Sequence, residues 1–195
     1  MLKFGKKVTY RPLLVSIFFT LIPLSAAIKF NWLTAYLLSI LVFSVIFFVY
    51  YLSTLPMTFN YWEADHDMIR YNDTHKISNR LQMMLFPFKN QLTTINKQDI
   101  QSITVTGKIA NPAEITVPLQ VTAYYAILTP ILSMIKNPID LELIMKDGQT
   151  IKLSVSRDYA YGSKKTIEKL NQFFDSLDDA QIKIINYPNH KISFN

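Results

Sequence analysis

Two long runs without a charge dominate the first third of the chain. Pro12 to Ile28 are 17 uncharged positions and Phe30 to Trp62 are 33 more, separated by Lys29 alone. A hydrocarbon layer about 30 Å thick takes about 20 apolar residues of helix, with about 17 as a practical minimum. The later run meets that length over 33–55, LTAYLLSILVFSVIFFVYYLSTL, without charge, glycine or proline. The earlier run, 12–28, contains LLVSIFFTLIPLSAAI and is interrupted by Pro23, which neighbouring helices or Ser and Thr side chains accommodate in lipid. A cleaved signal sequence is the alternative for this run, given its basic start and Ser25-Ala26-Ala27 near its end. Against it, the apolar stretch exceeds the roughly 7–15 residues of such a region, and 33–55 would still anchor the chain.

With only Lys29 to Trp32 between them, 12–28 and 33–55 read as a tight two-helix transmembrane hairpin over 12–55. Lys3, Lys6, Lys7 and Arg11 lie in the basic stretch 1–11, whereas the loop offers only Lys29. The positive-inside rule then places the N-terminus in the cytoplasm, and two crossings return the C-terminus there. Trp32, Tyr36, Tyr50, Tyr51, Tyr61 and Trp62 around the second span, and Tyr10 beside the first, are the expected interfacial anchors.

From Pro56 the period shortens to that of strands. MTFNYWE (57–63) and MIRYN (68–72) form a predicted hairpin around Asp65-His66-Asp67, and LQMMLFPF (81–88) reads as a strand with Pro87 at an edge or bulge. IQSITVTG (100–107) alternates and ends at a glycine. IDLELIMKDGQTIKLSV (139–155) alternates on both sides of Asp147-Gly148, a turn that wants positive φ. Ile167, Leu170, Phe173, Phe174 and Leu177 share one face of a predicted amphipathic helix over 163–177, with Ser163 as its N-cap. The tail, 181–188 and 191–194, can add an edge strand. An uncharged run of 21 residues, 115–135, fits three placements: a buried helix between strands, a segment on the membrane surface, or a third span weakened by Pro118, Gln120, Thr122, Thr129 and Pro130. On the bilayer, Tyr124, Tyr125, Ile127, Leu128 and Ile131 would contact lipid or a partner.

Composition narrows the function. The 195 residues carry no cysteine, which excludes disulfides and thiol chemistry, and a net charge of +6. Five of the basic residues and none of the acidic ones fall in the first 62 positions, leaving 15 basic against 14 acidic beyond. No basic stripe of the kind a phosphate backbone needs remains, so nucleic acid is not an expected partner. Asp65-His66-Asp67 is ordinary turn composition, since metal sites need three or four converging ligands. His75 and His190 have no catalytic partner at a recognisable spacing. Four glycines leave little room for a phosphate loop, and no nucleophile or paired-carboxylate motif occurs. No enzyme, cofactor or metal is expected. Ser16, Thr20, Ser25, Thr34, Ser39, Ser44 and Ser53 are the polar residues of the spans; none is ionisable, which favours helix packing over an ion path.

The order of strands after Pro56, the hairpin around KDGQT and the terminal helix SKKTIEKLNQFFDSL resemble bacterial pleckstrin-homology-like domains over about 57–178, many of which follow a transmembrane helix pair. The basic head with YRPLL, the tight double span and the strand–helix domain are similar to the EbsA family of small membrane proteins in low-GC Gram-positive bacteria, sometimes labelled pore-forming. A ratio of 16 Lys to 4 Arg suits such a genome. The resemblance implies an α+β membrane protein: a hairpin followed by a cytoplasmic domain over 56–195, an antiparallel sheet or barrel closed by a C-terminal amphipathic helix. Its implied role is that of an adaptor or scaffold in cell-envelope assembly, contacting the bilayer and other envelope proteins; the alternative is a pore built by a homo-oligomer of hairpins. The Asp65-His66-Asp67 tip departs from lipid-reading members, because it would repel anionic head groups.

Overall fold

The computed structural model describes residues 1–25, 31–89, 92–107, 109, 134–136, 138–177 and 183–185. The protein is an α+β chain of two compact units. A sheet unit contains Met1–Gly5, Tyr61–Tyr71 and Thr93–Asn195, and a helical unit contains Lys6–Asn60 and Asn72–Leu92.

The sheet unit holds two four-stranded sheets. In the first, β1 (Leu2–Gly5), β2 (Tyr61–Ala64), β3 (Met68–Tyr71) and β4 (Thr93–Asn96) form an antiparallel meander. The second has the order β7-β6-β5-β8, from β5 (Ile100–Thr106), β6 (Asp140–Met145), β7 (Thr150–Ser154) and β8 (Lys183–Ile185). Its first three strands are antiparallel; β8 runs parallel to β5 as an edge strand. Among the described residues the two sheets do not close into a barrel.

Alternation fixes the faces. Leu141, Leu143, Met145, Ile151, Leu153 and Val155 are all buried, as a period of two requires. Gly148 takes φ +84° in the β6–β7 turn, and Gly107 takes φ +91° after β5, where a Cβ would collide with the Pro138 carbonyl. The last helix packs Ile167, Leu170, Phe173, Phe174 and Leu177 into the same core. Trp62 lies at its centre, stacked on Phe4 at 4.1 Å and edge-on to Phe173 at 5.3 Å.

Three elements depart from the sequence reading. Residues 2–5, within the stretch read as a basic N-terminus, form β1: Leu2 and Phe4 face the core while Lys3 faces out, a pattern too short to register. Residues 81–88, expected as a strand, form the end of α3 (Ile77–Leu85, in the helical unit) and a 3₁₀ turn at Pro87–Lys89. Leu, Gln and Met are unbranched helix formers, and a short apolar run does not separate helix from strand. The last helix, α4 (Ser156–Asp175), begins seven residues before Ser163, with a break at Gly162. Its first turn lacks an apolar stripe; Ser156 Oγ instead accepts from the Ile139 N–H at 2.8 Å.

In the helical unit, α1 (Arg11–Ser25) packs against α2 (Trp32–Thr58). Helix α2 runs through Pro56, so 57–58 are helical rather than the start of a strand, and Val45–Tyr51 is a π-helical stretch. Its buried residues are Ala35, Ser39, Phe47, Tyr51 and Leu55, with Phe43 half-buried against them. Steps of four residues drift about 40° per step around a straight α-helix. The wider i→i+5 turns counter that drift and keep the stripe on one side.

Candidate functional site

The surface of the helical unit is the feature that demands a function. Among the described residues one helix, Trp32–Thr58, is long and apolar enough to cross a membrane, and Arg11–Ser25 is a shorter apolar helix. Leu37, Leu41 and Val49 on α2 and Leu14, Phe18 and Ile22 on α1 are all exposed by 58% or more. Monomers in water rarely leave so continuous an apolar surface uncovered. The inner faces are made of small or compact residues: Pro12, Ser16 and Pro23 on α1, Ala35 and Ser39 on α2. Small residues allow close backbone approach where lipid offers no hydrophobic drive for helix pairing. The Ser16 hydroxyl donates to the Pro12 carbonyl at 2.7 Å and Ser39 to Ala35 at 2.8 Å. Thr20, Ser25 and Thr34 likewise donate to carbonyls of their own segments. These hydroxyls are satisfied locally and do not form a polar track between helices.

The expected anchors divide. Trp32, Tyr36 and Tyr50 are exposed, by 72%, 53% and 56%. Tyr51 is buried in the core of the helical unit. Tyr61 and Trp62 are corrected outright, because the chain has entered β2 there. Trp62 is fully buried and its Nε1 donates to the Ser154 carbonyl at 3.1 Å, so it reaches no interface. Tyr124, Tyr125, Ile127, Leu128 and Ile131 lie outside the described residues; of 115–135, Met134 is buried and Ile135 exposed.

Polar groups of the sheet unit are tied into structural pairs. Register aligns Lys3, Glu63, Arg70 and Thr94 across the first sheet. Glu63 is buried; the Tyr61 hydroxyl donates to its Oε2, and Arg70 Nε reaches its Oε1 at 3.1 Å. Burial, then the hydrogen bond to Glu63 and its negative charge, push the Tyr61 pKa far above 10.0, against a smaller pull from Arg70. Both Glu63 oxygens are thus partnered, by Tyr61 and by Arg70. The His66 Nδ1–Asp67 contact, 3.3 Å, is open to solvent on both sides. An open depression lies beside Asp65 and His66, bounded by Met1, Leu2, Ala64 and Ser176. Among the described residues no three His, Asp or Glu side chains converge to hold a metal.

Sequence reasoning missed α3 and its 3₁₀ extension. Met83 and Met84 bury against α2, whereas Ile77, Leu85, Phe86 and Phe88 are exposed. The Phe88 ring lies 6.3 Å from Tyr10, and Lys89 Nζ lies 5.8 Å from the centre of Phe86. The available signal was Lys76, Arg80 and Lys89 around the run LQMMLFPF, which suits an amphipathic helix as well as a strand. No family model, curated protein or solved structure matches the chain.

Proposed function

We propose that this chain is a non-enzymatic membrane protein whose helical unit crosses the bilayer twice and whose sheet unit works in the cytoplasm as an adaptor or scaffold. One observation carries the reading: β1 and β2 are hydrogen-bonded neighbours, with Gly5 opposite Tyr61, although 55 residues separate them. A single crossing by Trp32–Thr58 would put those two partners on opposite sides of a layer about 30 Å thick. Their pairing supports an even number of crossings, with α1 as the second. Its 15 helical residues reach Ser25, and the uncharged run continues to Ile28, which brings it to the minimum length.

Orientation follows from charge. Lys3, Lys6, Lys7 and Arg11 precede α1 in the chain, against Lys29 after it, which favours the cytoplasm for both termini. A meander, a second sheet and a closing amphipathic helix support the pleckstrin-homology-like resemblance as an open variant, and a fold used as an adaptor needs no catalytic group. The hydroxyls closed within their own helices give the pore reading no support.

The chain has no native thiol, so single cysteines report topology cleanly. In intact cells a membrane-impermeant maleimide should label Phe30→Cys, and should label His66→Cys and Tyr161→Cys only after lysis. Labelling of His66→Cys and Tyr161→Cys but not of Phe30→Cys in intact cells reverses the orientation; labelling of none, with the protein recovered in the soluble fraction, removes the anchor.

A further inference from the structure

Two excursions from the first sheet, 6–60 and 72–92, make up the helical unit. The second excursion carries α3, whose Met83 and Met84 pack beside Leu55 and Phe59 at the C-terminal end of α2. Tyr10, which precedes α1, touches Phe88 of the same excursion. The segment is therefore fixed at that end of the apolar helix pair where the chain enters and leaves it.

What this segment shows outward is apolar and positive together. Ile77, Phe86 and Phe88 are exposed by 65%, 47% and 68%. Around them stand Lys76, Arg80 and Lys89, with Asp73 the single acidic residue of the entire helical unit. Asp73 Oδ2 accepts from Asn79 Nδ2 at 3.0 Å, and Arg80 Nε donates to the Thr74 carbonyl at 2.5 Å with a longer contact to His75. Lys76 and Lys89 are exposed. Helix α3 also opens without a side-chain cap and with no acidic residue in its first turn, so its free N–H groups add positive potential.

We infer that α3 with its Phe86–Lys89 extension is an interfacial foot that lies in the head-group layer of an anionic bilayer. The phenyl rings enter the acyl boundary and the cations meet lipid phosphates. Exposed apolar and basic side chains on one short segment suit that layer, where apolar area and attraction to anionic lipid add. The inference rests on the helical unit spanning the membrane, and extends it by a second, non-spanning contact.

Spin labels on single cysteines in the full chain test it, in vesicles of phosphatidylcholine with or without phosphatidylglycerol. The label at Leu37→Cys should read lipid and that at Tyr161→Cys water in both. Labels at Ile77→Cys and Phe88→Cys should read a depth of about 5–10 Å, deeper with the anionic lipid. Adding Lys76→Gln and Lys89→Gln should erase that difference. Water-like signals at 77 and 88 with lipid at 37 overturn the foot and leave the anchor standing. Equal depth in the two vesicles overturns the assignment to anionic head groups, and a water-like signal at 37 overturns both readings.

Discussion

In the sheet unit the large side chains point inward: Phe4, Trp62, Leu153 and Phe173 are all at most 1% exposed. In the helical unit the same residue types point outward, with Leu37 and Leu41 each 58% and Phe18 64% exposed. Charge divides along the same line. The sheet unit holds 13 basic and 13 acidic residues, and the helical unit seven basic and one acidic, so the whole net charge of +6 belongs to the latter. One chain thus contains a neutral body whose large apolar side chains are, among the described residues, mostly buried and a cationic body whose apolar side chains are mostly exposed. Direction, more than amount, of hydrophobicity identifies the medium each unit expects.

The contrast breaks most visibly if the outward leucines are made costly. Leu37→Lys with Leu41→Lys leaves the packed stripe of α2 untouched. Each lysine costs about 2.5–3.5 kcal/mol at the centre of a span. The double variant should be lost from carbonate-washed membranes. If it stays as firmly as the parent chain, the exposed face does not meet lipid.

The reverse experiment addresses the sheet unit. Trp62→Ala removes the side chain stacked on Phe4 and strands the Ser154 carbonyl, so a loss of about 3–5 kcal/mol is expected. Leu37→Ala deletes an outward side chain and should leave the unfolding of the sheet unit unchanged. Urea unfolding followed by near-ultraviolet dichroism in detergent compares them; equal effects would mean that the two bodies do not differ in what they bury.

These differences also explain what the sequence disclosed. Uncharged stretches and strand alternation are one-dimensional signals, and they located α2, β5, the β6–β7 hairpin and the apolar face of α4. Partnership is not one-dimensional. Nothing local in LKFG says that Phe4 will stack on Trp62 across 57 intervening positions, so β1 was hidden and Trp62 looked like an interface anchor. Helix α3 was hidden for another reason: its run of Leu and Met serves either period, and only Met83 and Met84 meeting α2 selects the helix. The β1–β2 register is likewise a partnership that no hydropathy profile contains.

A middle-sized effect compares buried polar groups in the two units. Tyr61→Phe removes a donor from the buried Glu63 carboxylate and should cost about 1.5–3 kcal/mol, because a charged acceptor loses its partner. Ser39→Ala should cost far less, since its hydroxyl only doubles a bond to a carbonyl already inside the helix. Tyr61 adds a pH signature. Its folded pKa lies above 10.0, so the unfolded chain releases this proton first. The contribution is whole below pH 10.0 and declines as pH rises beyond it. Alkaline unfolding should therefore be shallower in Tyr61→Phe; an unchanged slope removes Tyr61 from the account.

The smallest effect tests whether the polar exterior of the sheet unit matters at all. Lys152 Nζ meets Glu142 Oε1 at 2.7 Å, and the two residues face each other across β6 and β7. The hydrogen bond to Glu142, followed by its charge, raises the Lys152 pKa; the pair's contribution is present below pH 10.5 and fades above it. Lysine is 54% exposed, so water and salt screen most of that attraction, and about 0.2–1 kcal/mol is expected. A double-mutant cycle with Lys152→Ala and Glu142→Gln isolates the coupling, which should vanish near 1 M salt, where the screening length is about 3 Å. A coupling as large as the Tyr61–Glu63 effect, or one indifferent to salt, would show that the outer face of this hairpin is covered, and the sheet unit would then have an unfinished surface of its own.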